Sequence, residues 1–134
     1  MGYDRMDVHY NENLPAENGG THIGMFLTWI IQNNLIGEFH LENSPDGLTK
    51  VHNKEWTGRD FLINECDGKF WEEDLNEEGN EFAEYYYYDF TSDYYKAFEV
   101  TDSSVYTVEN SWENYEKIKP ILDKRYLEWK TSKA

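Results

Sequence analysis

The residues able to do chemistry are few in type and unevenly placed. His9, His22, His40 and His52 are scattered along the chain, and Cys66 is its single cysteine. No HExxH run and no Glu-x-x-His pair is present, so neither a zinc-protease helix nor a di-iron bundle site is written locally. A nucleophilic Cys66 would need a histidine brought to it in space. Its neighbours in sequence supply none, so it reads as a small hydrophobe near a helix end. His22 adjoins a predicted helix start, where an imidazole satisfies backbone or a buried carboxylate. Phosphate-cradling glycine loops and nucleophile elbows are lacking.

Carboxylates are plentiful. Residues 65–84 hold nine of them (Glu65, Asp67, Glu72, Glu73, Asp74, Glu77, Glu78, Glu81, Glu84) against Lys69 alone. Four tyrosines, Tyr85 to Tyr88, follow directly. Against a calcium loop, Asp74, Asn76, Glu78 and Gly79 fall at positions 1, 3, 5 and 6, but position 12, which needs a bidentate glutamate, is Tyr85. No calcium site is expected there. If helical, Glu73 with Glu77 and Asp74 with Glu78 stack one turn apart and repel. Tyr85–Tyr88 point in four successive helical directions, so one or two phenols must stay outside beside the acids.

The whole chain shares that bias. Its 134 residues carry 12 Lys and Arg against 27 Asp and Glu, a net charge of −15. A surface that binds nucleic acid by displacing counterions needs the opposite sign, as does one that binds an anionic membrane. No apolar run approaches a spanning length, the first residues lack a signal core, and one cysteine forms no internal disulfide. The expectation is a cytoplasmic, reduced, soluble protein of one domain, residues 1–134. Leu, Ile, Val and Phe number only 28, close to the composition of a disordered chain. The 17% of Phe, Trp and Tyr restores a core.

The elements that must position these groups read as mainly α, about five helices packed around aromatic residues. Residues 1–20, with Pro15 and the Gly19-Gly20 pair, read as an extended arm or loop. Thr21 caps a helix whose Ile23, Phe26, Leu27, Ile30, Ile31 and Leu35 share one face until Gly37 stops it. Ser44-Pro45 opens a short helix with Leu48 and Val51 inward. Thr57 and Asp60 open another, ended by Asp67-Gly68. A further helix covers Asp74 to Phe90, starting after Gly79 if that glycine is avoided, with a continuation to Val100. Residues 104–109 are β-branched and read as a short extended segment. Ser111 caps the last helix, which Pro120 should kink or split. Trp29, Trp112 and Trp129 are expected inside; Trp56 and Trp71 lie at helix boundaries.

Five stretches carry a resemblance: Glu17 to Phe26 (ENGGTHIGMF), Thr57 to Leu62 (TGRDFL), Cys66 to Lys69 (CDGK), Glu73 to Ala83 (EDLNEEGNEFA) and Val108 to Tyr115 (VENSWENY). Together they resemble an uncharacterised bacterial family of small acidic domains. The resemblance implies one intact domain and brings no established activity.

The function expected from the residues is stoichiometric binding without catalysis or cofactor. Glu72, Glu73, Asp74, Glu77, Glu78, Glu81 and Glu84 would steer and pair a basic protein, while Tyr85, Tyr86 and Tyr88 pack against it. An immunity protein occluding the basic site of a cognate toxin or effector fits that description. The competing expectations are a general intracellular interaction adaptor, and a metal-dependent enzyme or regulator using His22 with the carboxylates of Asp67 to Asp74.

Overall fold

The computed structural model describes residues 2–133. Helix α1 (Thr21–Gln32) is buried from Thr21 to Ile31, on every face and not on one. Its sequence explains this: its only charge-capable side chain is His22, and a helix apolar all round has no side to offer water. The remaining elements are α2 (Glu38–Asn43), α3 (Pro45–His52), α4 (Gly58–Glu65), α5 (Glu77–Phe98) and α6 (Trp112–Lys133), with strands β1 (Gly2–Arg5) and β2 (Lys69–Trp71). The protein is thus mainly α, with a small two-stranded sheet. No helix among the described residues is long and apolar enough to cross a membrane.

Helix α4 reaches α1 at backbone distance. A Cβ on Gly58 would stand 1.9 Å from the Gly24 carbonyl oxygen, and one on Gly24 would stand 2.4 Å from the Arg59 nitrogen. Thr28 fastens the crossing: its hydroxyl donates to the Gly24 carbonyl at 2.8 Å and accepts the Gly58 N–H at 2.9 Å. The expected box opens α4, with Thr57 Oγ1 accepting from the Asp60 N–H and the Asp60 carboxylate accepting from the Thr57 N–H. Asp67 and Gly68 end it in the left-handed region, at φ 54° and 73°.

Aromatic rings fill the space around α1. Phe26 packs on Phe70, Phe82, Tyr87 and Phe90, with centroids 5.0–6.2 Å apart. Trp29 lies against Phe82 and Tyr126 and donates its indole N–H to Asp123 at 2.8 Å. Trp29 and Trp129 are buried as expected. Trp112 is not; it is half-buried with Lys54 Nζ 5.2 Å above its ring.

Several local expectations give way to packing. Residues 2–5, expected in an arm, form β1 and pair antiparallel with β2 (Gly2↔Trp71, Asp4↔Phe70, Arg5↔Lys69). A register irregularity between Gly2 and Asp4 turns Tyr3 onto Phe70. Thr21 is the first residue inside α1, whose N-cap is Gly20. The helix stops at Gln32, before Gly37, and the chain reverses through Asn34 at φ 58°. Helix α2 has too short a period to be read in advance. Helix α5 includes Gly79, whose missing Cβ lets the helix sit on the Leu35 carbonyl, 2.7 Å from where that atom would be.

Residues 104–109 are not extended. They contain a 3₁₀ turn over Val105–Thr107, because no strand among the described residues lies alongside and the Thr107 hydroxyl donates to the Ser104 carbonyl instead. Ser111 Oγ accepts the Asn114 N–H at the start of α6. That helix runs unbroken through Pro120, since proline forfeits one backbone bond while Ile118, Leu122 and Trp129 remain anchored inside.

Two stability outcomes follow. Gly58→Ala should cost at least about 2–3 kcal/mol in urea unfolding, because neither backbone at the crossing can yield. Trp29→Ala should cost about 3–5 kcal/mol; a loss under about 1 kcal/mol would place Trp29 outside the core.

Candidate functional site

Three of the chemistry-bearing residues converge from separate elements. His40 is fully buried in the middle of α2. Cys66 is the C-cap of α4. Asp74 ends a 3₁₀ turn over Glu72–Asp74 and is buried. The segments before α2 and α5 hold them in register: Gly37 N–H donates to the Asp74 carbonyl at 2.9 Å, and Asn76 N–H to the Leu35 carbonyl at 2.9 Å. His40 Nε2 stands 2.6 Å from Asp74 Oδ1 and 3.6 Å from Cys66 Sγ. Its Nδ1 meets Ser44 Oγ at 3.0 Å, and Asp74 Oδ2 accepts the Trp71 N–H at 2.7 Å. Phe61 and Phe39 flank the imidazole.

Cys66 and Asp74 line one wall of a cavity of about 440 Å³, together with Glu65, Lys69, Trp71 and Glu73, and His40 lies buried behind them. Cysteine catalysis does not suit the arrangement. A relay needs the two ring nitrogens of histidine on different partners, whereas Nε2 here faces both the carboxylate and the sulfur. Burial, and then the negative charge of Asp74, push the Cys66 thiol far above its ordinary value, so the sulfur keeps its proton unless a cation displaces it.

A second convergence lies at the other end of β1. Asp4 Oδ1 meets His9 Nε2 at 2.6 Å, Asp4 Oδ2 stands 3.5 Å from His22 Nε2 and accepts from the Tyr87 hydroxyl at 2.6 Å. His9 Nδ1 contacts the Tyr106 hydroxyl at 2.9 Å. Both sets bring three donor atoms within 4.8 Å of one another. His22 therefore takes its carboxylate from Asp4, while Asp74, the buried carboxylate of the acidic segment, belongs to His40. Burial opposes ionisation of Asp4, but hydrogen bonds from His22, His9 and Tyr87 outweigh it and hold the carboxyl well below its usual range. Burial holds His22 below the ordinary histidine value, against the pull of Asp4.

The acidic segment divides by depth. Asp74 and Tyr86 are buried and have no access to a partner: Asp74 holds His40, and Tyr86 donates to Asp93 at 2.5 Å. Glu78 accepts from Tyr126 and meets Lys130 at 3.2 Å, and Glu81 meets Lys133 at 2.8 Å, so α6 engages both. Glu72, Glu73, Glu77, Glu84, Tyr85 and Tyr88 stay exposed. Among the described residues no ion pair holds Glu73, Glu77 or Glu84. Nothing in the sequence paired His40 with Cys66, since 26 residues separate them. The one local signal was Asp74 three residues after Trp71, the spacing at which a carboxylate accepts a backbone N–H.

The pH response carries a sign. As pH falls through about 6.5 the unfolded chain protonates His22 and the native chain resists, so the His22 contribution declines; below about 4 the same holds for Asp4. Relief of self-repulsion on acidification runs the other way, so the contribution is read as a difference. The stability advantage of the wild type over His22→Gln should shrink between pH 7 and pH 5, and an advantage that grows would contradict the buried neutral imidazole.

The sequence profile of a family described as "Domain of unknown function (DUF7832)" matches residues 2–108. No curated protein matches the chain, and no solved structure does. The matched span runs from β1 through α5 to the 3₁₀ turn before α6 and contains both convergent groups, and the chain belongs to the DUF7832 family.

Proposed function

We propose that this domain is a non-catalytic binding module that covers a basic site on a protein partner, as an immunity protein covers a cognate toxin. The observation that carries the reading is the exposure of large rings among carboxylates. Tyr88 is 73% exposed, Tyr85 55% and Trp71 41%, on α5 and at the end of β2. Glu84, Glu72 and Tyr88 all bear on one buried-edge phenol: burial first, then these neighbours, raise the Tyr3 pKa to about 12. Strands β1 and β2 meet α5 at this face, where Tyr3 packs on Phe70 and Tyr87 and donates to Asn80 at 2.6 Å.

Rigid aromatic rings bury much area at small entropic cost, and acids around them attract and orient a cationic surface. Compared with the ten residues nominated from sequence, the proposed surface loses Asp74 and Tyr86, whose side chains point inward. It keeps Glu72, Glu73, Glu77, Glu84, Tyr85 and Tyr88 and gains Trp71. Glu78 and Glu81 contribute field only, being tied to α6.

The test is capture from a lysate of the source organism at rising salt, with identification of the retained protein. A basic partner is expected, retained at low ionic strength and released as screening grows. Glu84→Lys combined with Tyr88→Ala should weaken retention by about tenfold or more while leaving the fold intact, because both side chains are exposed. Retention indifferent to salt and to that pair of changes would refute the reading.

A further inference from the structure

We infer that His40, Cys66 and Asp74 form a binding site for a borderline-soft divalent cation of the zinc class, with a fourth coordination position open to the adjoining cavity. The inference does not draw on the partner-binding reading, although Trp71 and Glu73 border both the cavity and that surface; it rests on distances. A tetrahedral zinc centre with sulfur at about 2.3 Å and nitrogen at about 2.0–2.1 Å separates the two donors by roughly 3.5–3.6 Å. Cys66 Sγ and His40 Nε2 are 3.6 Å apart. Nitrogen and oxygen donors at such a centre stand roughly 3.3 Å apart, so the 2.6 Å contact between His40 Nε2 and Asp74 Oδ1 opens by less than an ångström.

The surroundings suit the ion as well. A nitrogen and a carboxylate oxygen that close share a proton, and a metal ion takes the same lone pairs. Ser44 Oγ on Nδ1 and the Trp71 N–H on Asp74 Oδ2 already orient both ligands from outside, the role such partners have at metal sites. On binding, the S–H bond of Cys66 breaks, its proton and the one between His40 and Asp74 pass to solvent, His40 keeps a proton on Nδ1 that it donates to Ser44 Oγ, and bonds to S, N and O form. Thiolate, carboxylate and neutral imidazole around a divalent cation sum to zero charge, which a buried position tolerates. Cysteine and histidine donors select against calcium and magnesium, which take oxygen.

The other convergent group offers two imidazoles and a carboxylate. Asp4, however, already accepts from His9 and Tyr87, while His9 holds Tyr106. That group serves as the internal control.

The experiment titrates the chelator-treated full chain with Co²⁺ and reads absorbance, with native mass spectrometry for stoichiometry. One equivalent should bind, giving a thiolate-to-cobalt band in the near ultraviolet and intense visible bands of four-coordinate cobalt. Zinc should bleach both, and calcium in excess should not. Cys66→Ser should lose the ultraviolet band, whereas His9→Gln should keep the full spectrum. A folded wild-type chain that shows no thiolate band with saturating cobalt overturns the site without recourse to any variant. So does a band that survives Cys66→Ser, or cobalt binding that disappears with His9→Gln and lacks a thiolate signature.

Discussion

The backbone contact between α1 and α4 sets the rest of the structure. Gly24 and Gly58 meet where neither tolerates a Cβ, and Thr28 bonds to both sides of the junction. Once α4 is seated there, its start and its end are fixed. At the start, Thr57 Oγ1 takes the Asn110 side-chain N–H at 3.1 Å, tying the approach to α6 onto the crossing. At the end, α4 delivers Cys66 to His40 and turns the chain through Asp67-Gly68 into β2. That strand returns to β1, so the N-terminal residues are ordered by a contact made more than fifty residues away.

The acidity of the chain has an internal use besides any external one. With few aliphatic residues, the core is built from rings, and buried rings with polar tips need acceptors. Carboxylates supply them in the core, Asp4 for Tyr87, Asp93 for Tyr86 and Asp123 for Trp29, and at its edge, Asp102 for the half-buried Tyr95 and Glu78 for the half-buried Tyr126. Arg125 then braces Asp93 at 2.9 Å, and so fastens α6 to α5. Part of the −15 is thus a property of an aromatic core, and only the remaining exposed acids are available as an interface.

What could be read in advance was whatever a local rule decides. The apolar run of α1, the Thr57–Asp60 box, the proline at the first turn of α3 and the Asp67-Gly68 reversal each follow from a few adjacent residues. The features that escaped depend on distant pairing. Strands β1 and β2 are four and three residues long, too short for alternation to show, and Gly2 meets Trp71 only in three dimensions. The β-branched residues at 104–109 had strand propensity without a strand to join. Pro120 was legible as a residue, but its effect was not, because the cost of one missing bond is small beside the buried face of α6.

The group at His40 was illegible for the same reason, and its construction bears on what it can do. His40 comes from a six-residue helix, Cys66 from a helix end and Asp74 from a 3₁₀ turn. None of these elements has a regular period that demands the residue found there. A buried imidazole and carboxylate could be replaced by apolar groups of similar shape with little loss of stability, so packing alone does not require them. Their polar atoms nevertheless converge, with both outer partners satisfied and the inner atoms facing one another and a sulfur. Because the segment leading into α2 is pinned to residues 74–76 through backbone bonds, His40 and Asp74 are held in register by main chain, with Phe61 and Phe39 packed on the imidazole. Rigid support of this kind fixes donor positions to within the tolerance that coordination needs, and it does so at the wall of a cavity, where a fourth donor has room to enter.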